Sequence, residues 1–312
     1  MMTCADACEM KFYFEYCCQL SPLAINPDLH AGGALAHALE ITRKAFYADD
    51  IPLEPAILMG ISAMIEFWGD FEPPPKNPKT LVAMITAFED YFREYPPADD
   101  LYQPLILADG KPAIEFTFAL PTRVRHPITG DPIVYAGRCD MISNYNNEFI
   151  CIVDEKTTKN FSWNYTEQWG MRQQFIGYCY AAQVYGFEDV RRALIRGIAI
   201  QITQIKHIQI LEEYPQWKMD AWWETMQRKL ERLVTSWTNQ WFFHSYGDAC
   251  TSYGNCTFLN TLCREEDPSD KFGDFAHREW NPLAKNPTEV TAAAFEDIGT
   301  LADLMEGVSD RR

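Results

Sequence analysis

Residues 133–158 read IVYAGRCDMISNYNNEFICIVDEKTT, and the fold is decided by how this stretch is read. Two apolar runs rich in Ile, Val, Tyr and Phe flank the turn-forming SNYNN, the pattern of an antiparallel hairpin. Its first strand carries Asp140 and its second ends in Asp154, Glu155 and Lys156. Side chains alternate along a strand, so Asp154 and Lys156 share one face and Glu155 points to the other. Asp140 reaches the same place from the neighbouring strand. Two carboxylates that meet repel each other unless a positive charge lies between them. A hard divalent cation with oxygen ligands from both acids is the natural occupant. Lys156 is then placed to orient or deprotonate a water at that metal. An isolated D-x-K has a plainer reading too, a solvated strand end with a surface ion pair.

Further along, QWGMRQQFIGYCYAA (168–182) has the look of a helix. Gln174 and Tyr178 lie four residues apart there and face one side. Gln can hydrogen-bond a phosphate or a sugar, and Tyr can stack on a base or donate its hydroxyl. Taken in order, Gly137-x-x-Asp140, Asp154-x-Lys156 and Gln174-x-x-x-Tyr178 resemble the RecB-type branch of the PD-(D/E)XK nuclease superfamily. Versions of that branch in bacteriophages and in CRISPR adaptation also carry an upstream His and four cluster-binding cysteines. The resemblance runs from about Cys8 to Cys263 with its motifs in family order.

The resemblance implies an α/β (α+β) fold of the restriction-endonuclease-like type. A mixed sheet flanked by helices is joined by an N-terminal helical elaboration and a C-terminal cysteine-cluster region. It assigns His37, Asp140, Asp154 and the backbone carbonyl of Glu155 to one or two Mg²⁺ or Mn²⁺ ions. Gly33 and His37 match its Gly-x-x-x-His, and an imidazole ligand suits Mn²⁺ better than Mg²⁺. Lys156 positions the attacking water, and Gln174 and Tyr178 hold the DNA strand. A Glu often occurs near the metals in this family, and Glu115 stands at the matching place. Its plainer reading is an exposed strand residue.

Ten cysteines in a chain with no secretion signal point to thiols or metal ligands rather than disulfides. Cys250, Cys256 and Cys263 are spaced by six and seven positions, unlike the C-x₂-C pairs of zinc fingers. Three clustered cysteines and a distant fourth suit a 4Fe–4S cluster, with four-Cys Zn²⁺ or buried reduced thiols as the other readings. In the family, one N-terminal Cys joins three C-terminal ones. Cys8 matches it best, and Cys4, Cys17 and Cys18 are its competitors.

The rest of the chain fits around these motifs. Aromatic residues Phe12, Tyr13 and Tyr16 suit a short helix, and residues 30–47, 54–69 and 79–95 read as three more. PAIEFTFALPTRV (112–124) alternates as a strand and pairs with the Ile133–Ile142 run across HPITGDP. Residues 190–211 give one or two further strands. A long amphipathic helix then carries Met219, Trp222, Met226, Leu230, Leu233, Trp237 and Trp241 on one stripe. The organisation expected is an N-terminal helical region over 1–110, a nuclease core over 111–245, a cysteine region over 246–265 and an acidic tail over 266–312. A short helix in NPTEVTAAAFEDIGTLADLME (286–306) and a partner-binding role suit that tail. There is no internal repeat and no Gly-rich phosphate loop, which excludes ATP hydrolysis by a P-loop.

Charge opposes the simplest nucleic-acid reading. The net charge is −17, whereas nucleic-acid binders are usually basic. Between residues 118 and 210, however, ten Lys/Arg face eight Asp/Glu, so the remainder carries −19. Arg123, Arg125, Arg138, Lys159, Arg172, Arg191, Arg192 and Arg196 lie in that stretch and suit a local basic groove. No stretch is apolar for long enough to span a bilayer, so a cytoplasmic protein of a bacterial or phage-infected cell, without a membrane partner, is expected.

The expectation is a metal-dependent DNA nuclease. Similarity to the phage and CRISPR-adaptation members implies exonuclease action on single strands or duplex ends. A protein partner in recombination, replication or CRISPR adaptation goes with that reading. The alternative is a catalytically weak iron–sulfur or zinc DNA-binding module serving recombination.

Overall fold

The computed structural model describes residues 2–251 and 255–278. Its helices are α1 (Met2–Ala7), α2 (Glu9–Phe12), α3 (Pro27–Tyr47), α4 (Leu53–Trp68), α5 (Leu81–Glu94), α6 (Trp163–Glu167), α7 (Gln173–Val184) and α8 (Gln216–Thr238). Its strands are β1 (Leu20–Ser21), β2 (Tyr102–Pro104), β3 (Ile114–Arg125), β4 (Pro132–Tyr145), β5 (Phe149–Thr158), β6 (Arg192–Ile200), β7 (Ile205–Glu213) and β8 (Ala276–His277). The described chain forms two compact units, one of residues 2–25, 121–135 and 223–278, the other of 26–120 and 136–222. The expected helix within 286–306 lies outside the described residues.

The larger unit is built on a sheet of order β2-β4-β5-β6-β7, with β3 also paired to β4. The β2–β4, β4–β5 and β6–β7 pairs are antiparallel and β5–β6 is parallel, so the sheet is mixed. Helices flank it, which makes the fold α+β. A parallel neighbour needs a crossover, and residues 159–191 with α6 and α7 supply it. The hairpin forms as its alternation dictates, with Met141 opposite Val153 and Tyr145 opposite Phe149. That register places Asp140 and Asp154 next in line, at the end of the pairing.

One core lies among α3, α4, α5 and β6. Ala31, Ala34, Leu35, Ala38, Met64, Met84, Phe88, Ile198 and Ile200 are all buried there. Asn26 caps α3, its side chain accepting from the amides of Asp28 and Leu29, with Pro27 in the first turn. Small residues let α3 and α4 pack closely. A Cβ on Gly60 would lie 2.1 Å from Thr42 Oγ1 and 2.9 Å from the Ala38 carbonyl oxygen.

In the smaller unit, Phe14, Leu20, Phe258 and Leu262 form a second core, and β1 pairs antiparallel with β8. Two details depart from the sequence reading. After α2 the chain winds into a π-helical turn, Tyr13–Cys17, which makes Phe14 the buried aromatic and leaves Phe12, Tyr13 and Tyr16 half-covered. On α8 the buried stripe is Met219, Trp223, Met226, Leu230 and Leu233, with Trp222 off its centre. Trp241 lies beyond the helix end and is 69% exposed, so it takes no part in the stripe.

Candidate active site

The end of the β4–β5 hairpin gathers the acidic residues and the lysine. Asp154 is buried, and its Oδ1 forms an ion pair with Lys156 Nζ. Asp140 Oδ2 accepts a hydrogen bond from the Glu155 backbone N–H at 3.2 Å. Burial first, and then the charge of Asp154, push the Asp140 carboxyl well above the usual carboxylate range, although Lys156 opposes this. Burial alone would lower Lys156, but Asp154 and Asp140 outweigh it and hold its ammonium above the usual lysine range. The site as it stands is therefore two neighbouring acidic groups with one ammonium between them, and Asp140 is the one pushed toward its protonated form.

Helix α7 closes the same place. Gln174 Nε2 donates to the Tyr178 hydroxyl at 3.0 Å, as two residues one turn apart should. The Lys156 ammonium lies 5.7 Å from the centre of the Phe175 ring. Burial, followed by Asp154, raises the Tyr178 phenol well above its ordinary value, so this hydroxyl keeps its proton as a donor.

Glu155 projects to the other face, as strand alternation requires. Its carboxylate accepts from Arg43 Nη1 at 3.0 Å, from Arg43 Nη2 and from the Tyr91 hydroxyl at 2.8 Å. Burial works to raise it, yet Arg43 and Arg196 hold the carboxyl below the usual range. The side chain is thus fully engaged, and only the main chain of Glu155 remains to face the acidic pair. Arg196 donates to Tyr91 Oη at 3.0 Å and to Asp100 at 2.7 Å, and it is 2% exposed. Buried in this way it cannot line a surface groove, which corrects its place among the groove arginines. An arginine inside the apolar run ALIRGIAI was itself the signal, because a buried guanidinium needs partners.

Glu115 is buried and not the exposed strand residue of its plainer reading. It pairs with Arg138 Nε at 2.6 Å, and Arg138 stands 4.0 Å from Glu40. Its backbone is left-handed, with φ of 57°, a strained conformation for a residue with a Cβ. Burial above all raises its carboxyl to about 7, against the pull of Arg138. Glu115 also acts electrostatically on Asp140, so it belongs to the same patch.

His37 lies on α3. Its Nδ1 is 3.6 Å from Glu40 Oε2 and its ring centre 6.0 Å from that of Phe67. It pairs with neither aspartate. Among the described residues, no three His, Cys, Asp or Glu side chains stand ready-made around a common metal position. The donor set nonetheless suits a hard cation: two adjacent carboxyl groups, one of them pushed toward its protonated form by burial and by its acidic neighbour.

The candidate cluster cysteines, Cys8, Cys250, Cys256 and Cys263, lie in the smaller unit. Burial raises the Cys263 thiol to about 11, and its next influences are Cys256, Cys8 and Cys250. Those four are therefore electrostatic neighbours. Cys256 N–H donates to the Cys250 carbonyl at 2.8 Å, and Cys8 Sγ lies 3.8 Å from the Phe243 carbonyl oxygen. Cys4 instead faces Glu15 at 3.6 Å, and Cys17 and Cys18 neighbour each other. Four thiols from distant parts of the chain fit the donor count of a 4Fe–4S cluster or of Zn²⁺.

No family model matches the chain, and no curated protein matches it. Several solved structures do. The chain is similar to SSO0001, at 12% identity over 65% of this chain and 73% of that one, with a TM-score of 0.30. It is also similar to a protein described as a "Putative exonuclease" from Eubacterium rectale, at 11% identity over 76% of this chain and 96% of that one, with a TM-score of 0.30.

Proposed function

We propose that the chain is a metal-dependent deoxyribonuclease of the PD-(D/E)XK type, acting as an exonuclease on single strands or duplex ends. The observation that carries this is the meeting of Asp140, Asp154 and Lys156 at one strand end, with Asp140 driven up by burial and by its acidic neighbour. Asp140, Asp154 and the Glu155 carbonyl would hold a Mg²⁺ or Mn²⁺ ion, with His37 reaching in from α3. The bound ion supplies a water of lowered pKa and neutralises charge growing on the phosphate. Lys156 pairs with Asp154 and lies in the field of Asp140, and with a cation held by the two aspartates its ammonium would hold the attacking water. Gln174 and Tyr178 present an amide and a hydroxyl to the sugar–phosphate strand. The four neighbouring cysteines would bind a 4Fe–4S cluster, or Zn²⁺ in its place. The partner is DNA, together with a protein of recombination, replication or CRISPR adaptation.

The net charge of −17 favours a second reading, a weakly catalytic DNA-binding module. End-labelled single-stranded DNA incubated with Mn²⁺ and wild type, Asp140→Ala or Lys156→Ala separates the two. Wild-type cleavage lost in both variants supports the nuclease. Binding without cleavage by wild type supports the module, and equal cleavage by all three marks a contaminant.

A further inference from the structure

The middle residue of Asp154-Glu155-Lys156 carries a buried polar network that the reaction as described does not use. The Tyr91 hydroxyl donates to Glu155 Oε1 at 2.8 Å and accepts from Arg43 Nη2 at 2.8 Å and Arg196 Nη1 at 3.0 Å. A hydroxyl has one donor and two acceptor positions, so all three are filled. Arg43 grips both oxygens of Glu155, and Arg196 passes the chain of contacts to Asp100. The Arg196 guanidinium also lies 4.3 Å from the centre of the Tyr95 ring. Two guanidinium groups meet two carboxylates, and all four side chains are at most 9% exposed.

Such a network is an expensive way to fill a core, because apolar side chains of similar volume hold a fold as well or better. Its position suggests what it does. Glu155 lies between Asp154 and Lys156, and its N–H is the donor to Asp140. Arg43 lies on α3 six residues after His37, on the helix that would bring the imidazole. Both ends of the prospective ligand set are thus tied through one carboxylate.

We propose that Tyr91, Arg43 and Arg196 are positioning residues that clamp Glu155 from the far face of β5. The clamp fixes the main chain of Glu155, the spacing of Asp154 and Lys156, and the stand of α3 against that strand. It rests on the nuclease reading above. Outer-shell groups that orient metal ligands typically change metal affinity or activity by about 10–100-fold when removed.

The test compares wild type with Asp154→Ala, Tyr91→Phe and the paired Arg43→Met/Glu155→Met, all as full chains. Mn²⁺ binding is read by the electron paramagnetic resonance of free Mn²⁺ without DNA. Cleavage of a single-stranded oligonucleotide is resolved into kcat and KM, and melting temperature is measured alongside. Tyr91→Phe should bind Mn²⁺ about tenfold more weakly and lose about tenfold in kcat, with KM for DNA within about twofold. The paired Met variant should recover wild-type melting but not wild-type Mn²⁺ affinity. Restoration of both together would reduce the network to packing and overturn the clamp, as would wild-type Mn²⁺ affinity and kcat in Tyr91→Phe. If the Met pair fails to fold, Tyr91→Phe decides alone. Failure of wild type itself to bind Mn²⁺ and to cleave sinks the nuclease reading, and the clamp with it. Wild-type binding that is lost in Asp154→Ala but kept in Tyr91→Phe sinks only the clamp.

Discussion

Replacing Asp140 by Asn should make the metal-free protein more stable at pH 7 while abolishing cleavage. In the fold its carboxyl is pushed well above the ordinary 3.8, by burial first and Asp154 second. Carrying a proton at pH 7 on such a group costs at most about 4 kcal/mol, at roughly 1.36 kcal/mol per unit. Asn has no proton to take up, and its amide oxygen can still accept from the Glu155 N–H, 3.2 Å away in the native site. The variant therefore gains stability at pH 7, by no more than that ceiling, or up to about 6 °C in melting temperature for a chain of this size. The sign with pH follows. A carboxyl whose folded value lies above its unfolded value contributes stability below the unfolded value and loses it as pH rises through the folded one. Wild type and Asp140→Asn should therefore melt together in acid and separate toward neutrality. Thermal melts in EDTA from about pH 4 to 8 read this directly. A variant that melts at or below wild type at pH 7, or a gap that persists in acid, would refute the reasoning.

Further expectations follow from the same geometry. Glu115, raised from 4.5 to about 7, should cost stability as pH rises through that range; Glu115→Gln should recover up to about 3 kcal/mol at pH 8 and nothing at pH 4, as melts of both proteins will show. Mn²⁺ affinity should fall with falling pH, because the proton that Asp140 takes up readily competes with the ion; titration calorimetry at several pH values checks this, and a pH-independent affinity would count against Asp140 as a ligand. Gly60→Ala should destabilise by about 2–4 kcal/mol: its methyl meets Thr42 and the Ala38 carbonyl, a clash larger than the helix-propensity gain of about 1 kcal/mol. Cys8→Ser should abolish bound iron and the brown colour of protein purified without oxygen while Cys4→Ser keeps both; equal retention by the two would exclude Cys8 as the fourth ligand.

What the sequence made legible was local. The alternation of IVYAGRCDMI and EFICIVDEKTT fixed the hairpin and sent Glu155 away from Asp154 and Lys156, as its contacts show. The four-residue spacing of Gln174 and Tyr178 placed their side chains in contact. What was not legible depended on partners far along the chain. The parallel β5–β6 pairing joins strands separated by a crossover, and no periodicity encodes it. The partners of Glu155 are Arg43, Tyr91 and, through Tyr91, Arg196, each on a different element. The left-handed backbone at Glu115, inside β3, leaves no compositional trace, because glycine would be the residue expected there. The shift of the α8 stripe from Trp222 to Trp223 is a matter of one residue among neighbouring tryptophans, below what helical spacing resolves.

The most direct measurement is a crystal soaked in Mn²⁺ and read by its anomalous signal. The expected peak lies between Asp140 and Asp154, within about 2.5 Å of a carboxylate oxygen from each, with the Glu155 carbonyl and His37 as further ligands. A well-occupied Mn²⁺ peak elsewhere, or none at these two carboxylates at saturating Mn²⁺, contradicts a metal-dependent nuclease site at this strand end.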